Sequence, residues 1–122
     1  MTKEQMLKRT KTFALRVVKA TQALPKNDMV ADVLGRQMLR SGTSVGANYR
    51  AACHAKSTSD FVNKLKIVEE ECDETLFWME LLVESGTYPL RRLEPLMKEA
   101  EEILSIVVSA LRTTRTRQQN HS

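Results

Sequence analysis

Five acids fall within six positions, Glu69, Glu70, Glu71, Asp73 and Glu74. Carboxylates at that density suggest a divalent metal site. A di-metal bundle, however, needs a Glu-x-x-His pair on each of two helices. The only histidines are His54 and His121, and neither has a Glu three positions before it. Consecutive helical positions point to different faces, so the acidic run reads as a solvated surface. Cys72 lies on an apolar stripe and reads as a small core residue. Cys53 stands beside His54, but neighbours on a helix do not face each other, so no Cys/His dyad is expected. There is no glycine-rich phosphate loop and no nucleophile elbow. The sequence therefore predicts no catalytic residue, no metal and no cofactor, and the chain is not expected to be an enzyme.

The basic residues offer different chemistry, the neutralisation of phosphates. Lys8, Arg9, Lys11, Arg16 and Lys19 fall within a ~160° arc at ~100° per residue. Arg36, Arg40, Arg50 and His54 share a line about 27 Å long at ~1.5 Å per residue. Arg112, Arg115 and Arg117 add basic charge near the C-terminus. The segment from Asp60 to Glu84 has eight acids against two lysines, a net −6, so charge is segregated along the chain. Candidate nucleic-acid contacts are Lys8, Arg9, Lys11, Arg16, Lys19, Arg36, Arg50, Arg112, Arg115 and Arg117. Against this stands the ordinary reading, that basic helix faces are merely solvated. Arg40 is set apart as structural, with a carboxylate such as Glu69 or Asp73 as its partner.

Four periodic segments must position these groups. The first runs from about Lys3 to Ala23, with Met6, Leu7, Phe13, Ala14, Val17 and Val18 on one face. Leu24-Pro25 stops it, and Asn27 is the expected N-cap of the second. That segment runs from about Asp28 to Ala55. Val30, Val33, Leu34, Gln37, Ser41, Ser44, Asn48 and Ala52 recur on its expected core face. Within this face Gln37, Ser41, Ser44 and Asn48 form a polar line suited to hydrogen bonds with a neighbouring helix. Asp60 to Glu84 follows, with Phe61, Leu65, Val68, Cys72, Met79 and Val83 on a stripe, and Ser85-Gly86 closes it. Pro89 opens the fourth segment, whose apolar face runs from Leu93 to Leu111. Short breaks between helices predict an all-α, antiparallel up-down-up-down four-helix bundle over residues 1–112. Residues 113–122 read as a basic, disordered tail.

A helix in a lone bundle needs one apolar stripe, yet two segments carry a second. Phe77, Trp78, Leu81 and Ile67 lie off the main stripe of the third segment. Gly35, Gly42, Gly46 and Tyr49 form a separate line on the second. Each interior Gly costs roughly 1 kcal/mol against Ala, so close approach of another backbone is implied. Two readings stand: packing within the bundle, or a subunit interface made by Gly42, Gly46, Tyr49, Phe77, Trp78 and Leu81.

With 122 residues the chain is expected to form one domain. Aromatics make up 5%, too few for a base-stacking platform. The formal net charge of +4 permits a polyanionic partner without requiring one. Two cysteines without a CxxC spacing, a charged N-terminus and no long apolar run predict a cytoplasmic protein that does not enter a membrane.

The run Arg40-Ser41-Gly42-Thr43-Ser44-Val45-Gly46-Ala47-Asn48 resembles the signature of the 23S rRNA intervening-sequence proteins. Phe13-Ala14, Leu24-Pro25, Gln37-Met38-Leu39, Asp60-Phe61, Lys64-Leu65 and Trp78 flank it in keeping with that family. The resemblance covers about residues 7–110 and departs from the pattern where Tyr49-Arg50-Ala51-Ala52 replaces a Glu-Gly pair. It implies a bacterial protein with the four-helix up-down bundle, homopentamers in some members, and no known enzymatic activity for most. The accessory protein of diversity-generating retroelements belongs to the same group and binds nucleic acid and a reverse transcriptase. RNA or DNA, a nucleic-acid-processing protein and further copies of the chain are thus the partners the resemblance implies.

Overall fold

The computed structural model describes residues 1–120. It is all-α, with four helices and, among the described residues, no strand. Helix α1 spans Lys3–Gln22, α2 Met29–Cys53, α3 Thr58–Glu84 and α4 Leu90–Asn120. Each packs on its chain neighbour and α4 returns against α1, as in a bundle. No helix among the described residues is long and apolar enough to cross a membrane.

Local chemistry sets the ends. Thr2 and Gln5 form a reciprocal capping box at the start of α1. The cap of α2 is Asp28, not the expected Asn27; its carboxylate accepts the Ala31 N–H at 3.0 Å. Asn27 has φ 60° and makes the bend after Pro25, a left-handed conformation that Asn tolerates better than most residues. Ser57 caps α3 by accepting the Asp60 N–H. Gly86, at φ 77°, ends that helix, and the N–H groups of Thr87 and Tyr88 both reach the Leu82 carbonyl.

Helix α4 corrects the expected tail. It continues past Arg112 to Asn120, with the Thr114 and Thr116 hydroxyls donating to the carbonyls of Ala110 and Arg112. No Gly or Pro follows Pro95 to interrupt it, and Arg and Gln favour helix. His121 and Ser122, the rest of that expected tail, lie outside the described residues.

The core contains Phe13 and Val17 of α1, Met38 and Val45 of α2, Leu65 and Met79 of α3, and Leu93 and Ile103 of α4, all essentially fully buried. The inward face of α2 keeps Ser41 and Ala52 of the expected one but is otherwise turned. Val30 and Val33 are 48% and 52% exposed, while Ala31, Gly35, Met38, Gly42, Val45 and Tyr49 point inward. The reason is the glycine line. A Cβ at Gly35 would stand 2.5 Å from Leu24 Cδ1, and one at Gly42 2.7 Å from Val17 Cγ1. One at Gly46 would stand 3.2 Å from the Thr10 carbonyl oxygen. Close approach is thus met within the chain, by α1. As α2 advances from Gly35 to Gly46 its partners recede from Leu24 to Thr10, so these two helices run antiparallel.

Candidate nucleic-acid interface

The seam between α1 and α2 positions the strongest of the expected basic residues. Lys8 and Lys11 extend from α1, Arg50 and His54 from α2, and all four line one open groove of about 780 Å³. Its floor is small and apolar, including Ala14, Gly46 and Ala47, with Leu7 on one wall. Glu4 is the single acid lining it. Small residues at 46 and 47 allow the groove to exist, because larger side chains would fill the space between the two helices. Among the described residues, none of Lys8, Lys11 and Arg50 is ion-paired. Cations without carboxylate partners beside an apolar floor can take a phosphodiester backbone, with sugars or base edges on the floor.

The rest of the expected basic surface divides. Arg9 points the other way, into the seam with α4. Its Nε donates to Glu99 Oε2 at 2.7 Å and its Nη2 to Glu99 Oε1 at 2.8 Å, and Nη2 also meets Glu102. The Glu99 hydrogen bonds raise the Arg9 pKa further above its ordinary value. Arg9 in turn holds the Glu99 carboxyl below the usual carboxylate range, chiefly by hydrogen bonding. Arg9 is therefore engaged by the acids of α4 and does not join Lys8 and Lys11 in the groove. Arg16 is exposed and also adds to the field that lowers Glu99, and Lys19 is exposed; neither lines the groove. Arg36 pairs with Asp32 one turn earlier at 3.1 Å. Arg112 and Arg115 line a small cleft with Glu69, and Arg117 lies in another cleft with Lys3.

The signature residues play structural parts. Arg40 Nη1 donates to Glu71 at 3.2 Å and Nη2 to Glu74, so its tie to α3 is real although Glu69 and Asp73 are not its partners. The geometry decides this: Glu71 and Glu74 occupy the edge of α3 facing α2. Ser41 is fully buried, and Thr75 Oγ1 donates to its hydroxyl at 2.9 Å. Ser41 passes the chain on by donating to the Gln37 carbonyl at 2.9 Å. Thr75 is fully buried too, and its place opposite Ser41 across a helix pair carries no local sequence signal. Asn48 departs from expectation, since its Nδ2 donates to the Ser44 carbonyl of its own helix at 2.9 Å.

Of the six residues assigned to a subunit contact, Gly42, Gly46 and Tyr49 are used inside the chain, where they pack in or beside the α1/α2 seam. Burial, with Cys53 alongside, pushes the Tyr49 hydroxyl up to about 12. The α3 residues differ. Phe77 is 51% exposed, and its ring meets Trp78 edge-on at 5.1 Å between centroids. Trp78 and Leu81 are half-buried, and Trp78 Nε1 donates to Glu74 at 3.2 Å. Cys72 is wholly buried and burial pushes its thiol up to about 12. Among the described residues, no three His, Cys, Asp or Glu side chains gather as metal ligands.

Residues 2–109 match the family described as 23S rRNA-intervening sequence protein. The chain belongs to this family. A crystal structure at 1.70 Å of a protein of unknown function from Bacteroides thetaiotaomicron, assigned to the S23 ribosomal protein family, is 35% identical and superposes with a TM-score of 0.85. That match covers 92% of this chain and 99% of the Bacteroides protein, so the shared fold extends over almost the whole of both molecules. No curated protein matches the chain.

Proposed function

We propose that this member of the family is a non-enzymatic nucleic-acid-binding module that self-associates. The observation that carries the reading is the α1/α2 groove, where Lys8, Lys11, Arg50 and His54 converge without carboxylate partners over an apolar floor. The family takes its name from intervening sequences in 23S rRNA, which supports RNA as the polymer. The up-down-up-down course of the bundle puts the two helices side by side, so cations far apart in sequence face one space. Binding is weakly sequence-specific, because Lys and Arg on helices meet phosphates and no Phe, Tyr or Trp side chain lines this groove. Self-association uses the exposed α3 edge at Phe77 and Trp78, and a pentameric ring is the form that the family resemblance supports. A protein-interaction scaffold is the second reading; the same exposed edge favours it.

The test is fluorescence anisotropy with generic single-stranded RNA and DNA. The wild type is expected to bind at ~50 mM salt and to lose at least about tenfold in affinity by ~200 mM, as for three or more phosphate contacts on a single strand. Lys8→Glu with Arg50→Glu should lower affinity by at least about tenfold while helicity and assembled mass stay unchanged. No binding by the wild type at the lower salt would end this reading and leave the scaffold.

A further inference from the structure

A second cleft opens at the same end of the molecule as the groove. It has a volume of about 900 Å³, and all four helices reach it: Lys3 begins α1, Cys53 ends α2, Thr58 and Phe61 begin α3, and Arg117 lies near the end of α4. Lys56, in the α2–α3 connection, joins Lys3 and Arg117 there. Among the described residues none of these three cations is ion-paired. The first groove ends at Glu4 and His54, and the cleft begins at Lys3 and Cys53, their immediate neighbours in the chain. The two spaces therefore lie on either side of the same pair of helix ends. The N-terminus of α3 adds the positive end of its dipole to the cleft.

We propose that the cleft is a second phosphate-binding site, occupied by the backbone of the same single strand that lies in the α1/α2 groove. This rests on the nucleic-acid reading and extends it. The ligand class is a single-stranded polynucleotide that passes around the end of α2. Two separate cationic spaces flanking a helix end suit a flexible chain, which bends from one to the other. A stiff duplex does not, since its persistence length is about 150 base pairs. A strand of about twelve nucleotides spans both spaces, within the site sizes of single-strand binders.

Cys53 lines the cleft and is half-buried, so it reports occupancy directly. Alkylation of Cys53 is followed in the full-length protein at ~50 mM salt, with a single-stranded oligonucleotide of about twelve nucleotides present or absent. The bound strand is expected to slow alkylation several-fold. Lys56→Glu with Arg117→Glu should remove that protection and lower the salt slope of binding by roughly 1.4, two contacts at about 0.7 each. Residual binding through the groove should remain. Lys26→Glu with Arg91→Glu makes the same charge change at the opposite end of the helices and should alter neither readout. Tripolyphosphate at equal phosphate concentration should leave alkylation unchanged; equal protection would mean a small-anion site and overturn the proposal. It is also overturned if the strand binds but Cys53 reacts as in the free protein, or if the Lys26/Arg91 variant loses as much as the cleft variant. A wild type that binds no strand fails the nucleic-acid reading itself, a result distinct from binding without protection.

Discussion

Val17 presses its branched side chain against Gly42, and no atom of a larger residue fits between them. A Cβ at that glycine would come within 2.7 and 2.8 Å of the two Cγ atoms. Val17 is fully buried and β-branched, so it has little room to rotate away. Gly42→Ala gains roughly 1 kcal/mol of helix propensity yet should lose about 1–3 kcal/mol by overpacking. The net expectation is a lower urea midpoint; a higher one would show that α1 and α2 can separate freely. The Ser41–Thr75 pair sets a second test. Either Ser41→Ala or Thr75→Val alone should cost about 1 kcal/mol, because a buried hydroxyl loses a partner. The double variant should cost less than the two singles combined, since each single leaves the surviving hydroxyl only backbone carbonyls of its own helix, such as that of Gln37 or Glu71, as partners. A double-mutant cycle from urea unfolding measures the coupling, and simple additivity would dissolve the pair as a structural unit.

Helices α1 and α4 are tied by Arg9, and that tie makes the stability of the bundle depend on pH. Glu99 has a folded pKa below its ordinary value of 4.5, with the Arg9 hydrogen bond as the largest cause. The unfolded chain takes up the proton first as the pH falls. The contribution is therefore fully present above the ordinary carboxylate range and is lost as the pH drops through Glu99's folded value. Arg9→Gln should lower stability by about 1–2 kcal/mol at neutral pH, the scale of a charged hydrogen bond that remains partly exposed. The gap between wild type and variant should narrow on acidification below about pH 4.5. Urea midpoints from neutrality down to acid give the comparison, and a gap that stays constant would assign the effect to packing of the arginine stem.

Across the whole molecule, charge is sorted by end as well as by helix. Lys3, Lys56 and Arg117 meet where α1 and α3 begin and α2 and α4 end, and the groove of Lys8, Lys11 and Arg50 adjoins them. Acids of α3 and α4 are drawn into ties with Arg40 and Arg9 instead. Phe77 is exposed on α3, and in the proposed assembly a second copy of the chain covers it. Phe77→Asp should shift the protein from an assembled mass to that of a monomer in light scattering, with helicity retained. Trp78→Glu is a less clean probe because Trp78 also bonds to Glu74 within the chain. A wild type that is already monomeric at micromolar concentration would end the ring proposal.

Helical period and breaks were readable locally, so four helices and the family followed from residue order, whereas the end of α4 and the cap of α2 did not. Ser57, Ser85 and Gly86 act through neighbours within a few positions, and such signals survive in one dimension. Of the signature residues, Arg40 reaches the acids of α3 and Ser41 the Thr75 hydroxyl. Which face of α2 turns inward was not local. Hydrophobicity favoured Val30 and Val33, but burial follows contact distance, and only glycine lets α1 approach closely enough to bury a helix backbone. The basic arc of α1 looked continuous because a helical wheel has no neighbours. Packing divided it, giving Arg9 to the acids of α4 and leaving Lys8 and Lys11 open beside Arg50. The sequence by itself determined the charges and the helices that carry them. Only the tertiary structure decided which charges are neutralised by partners distant in the chain, because that depends on which faces meet.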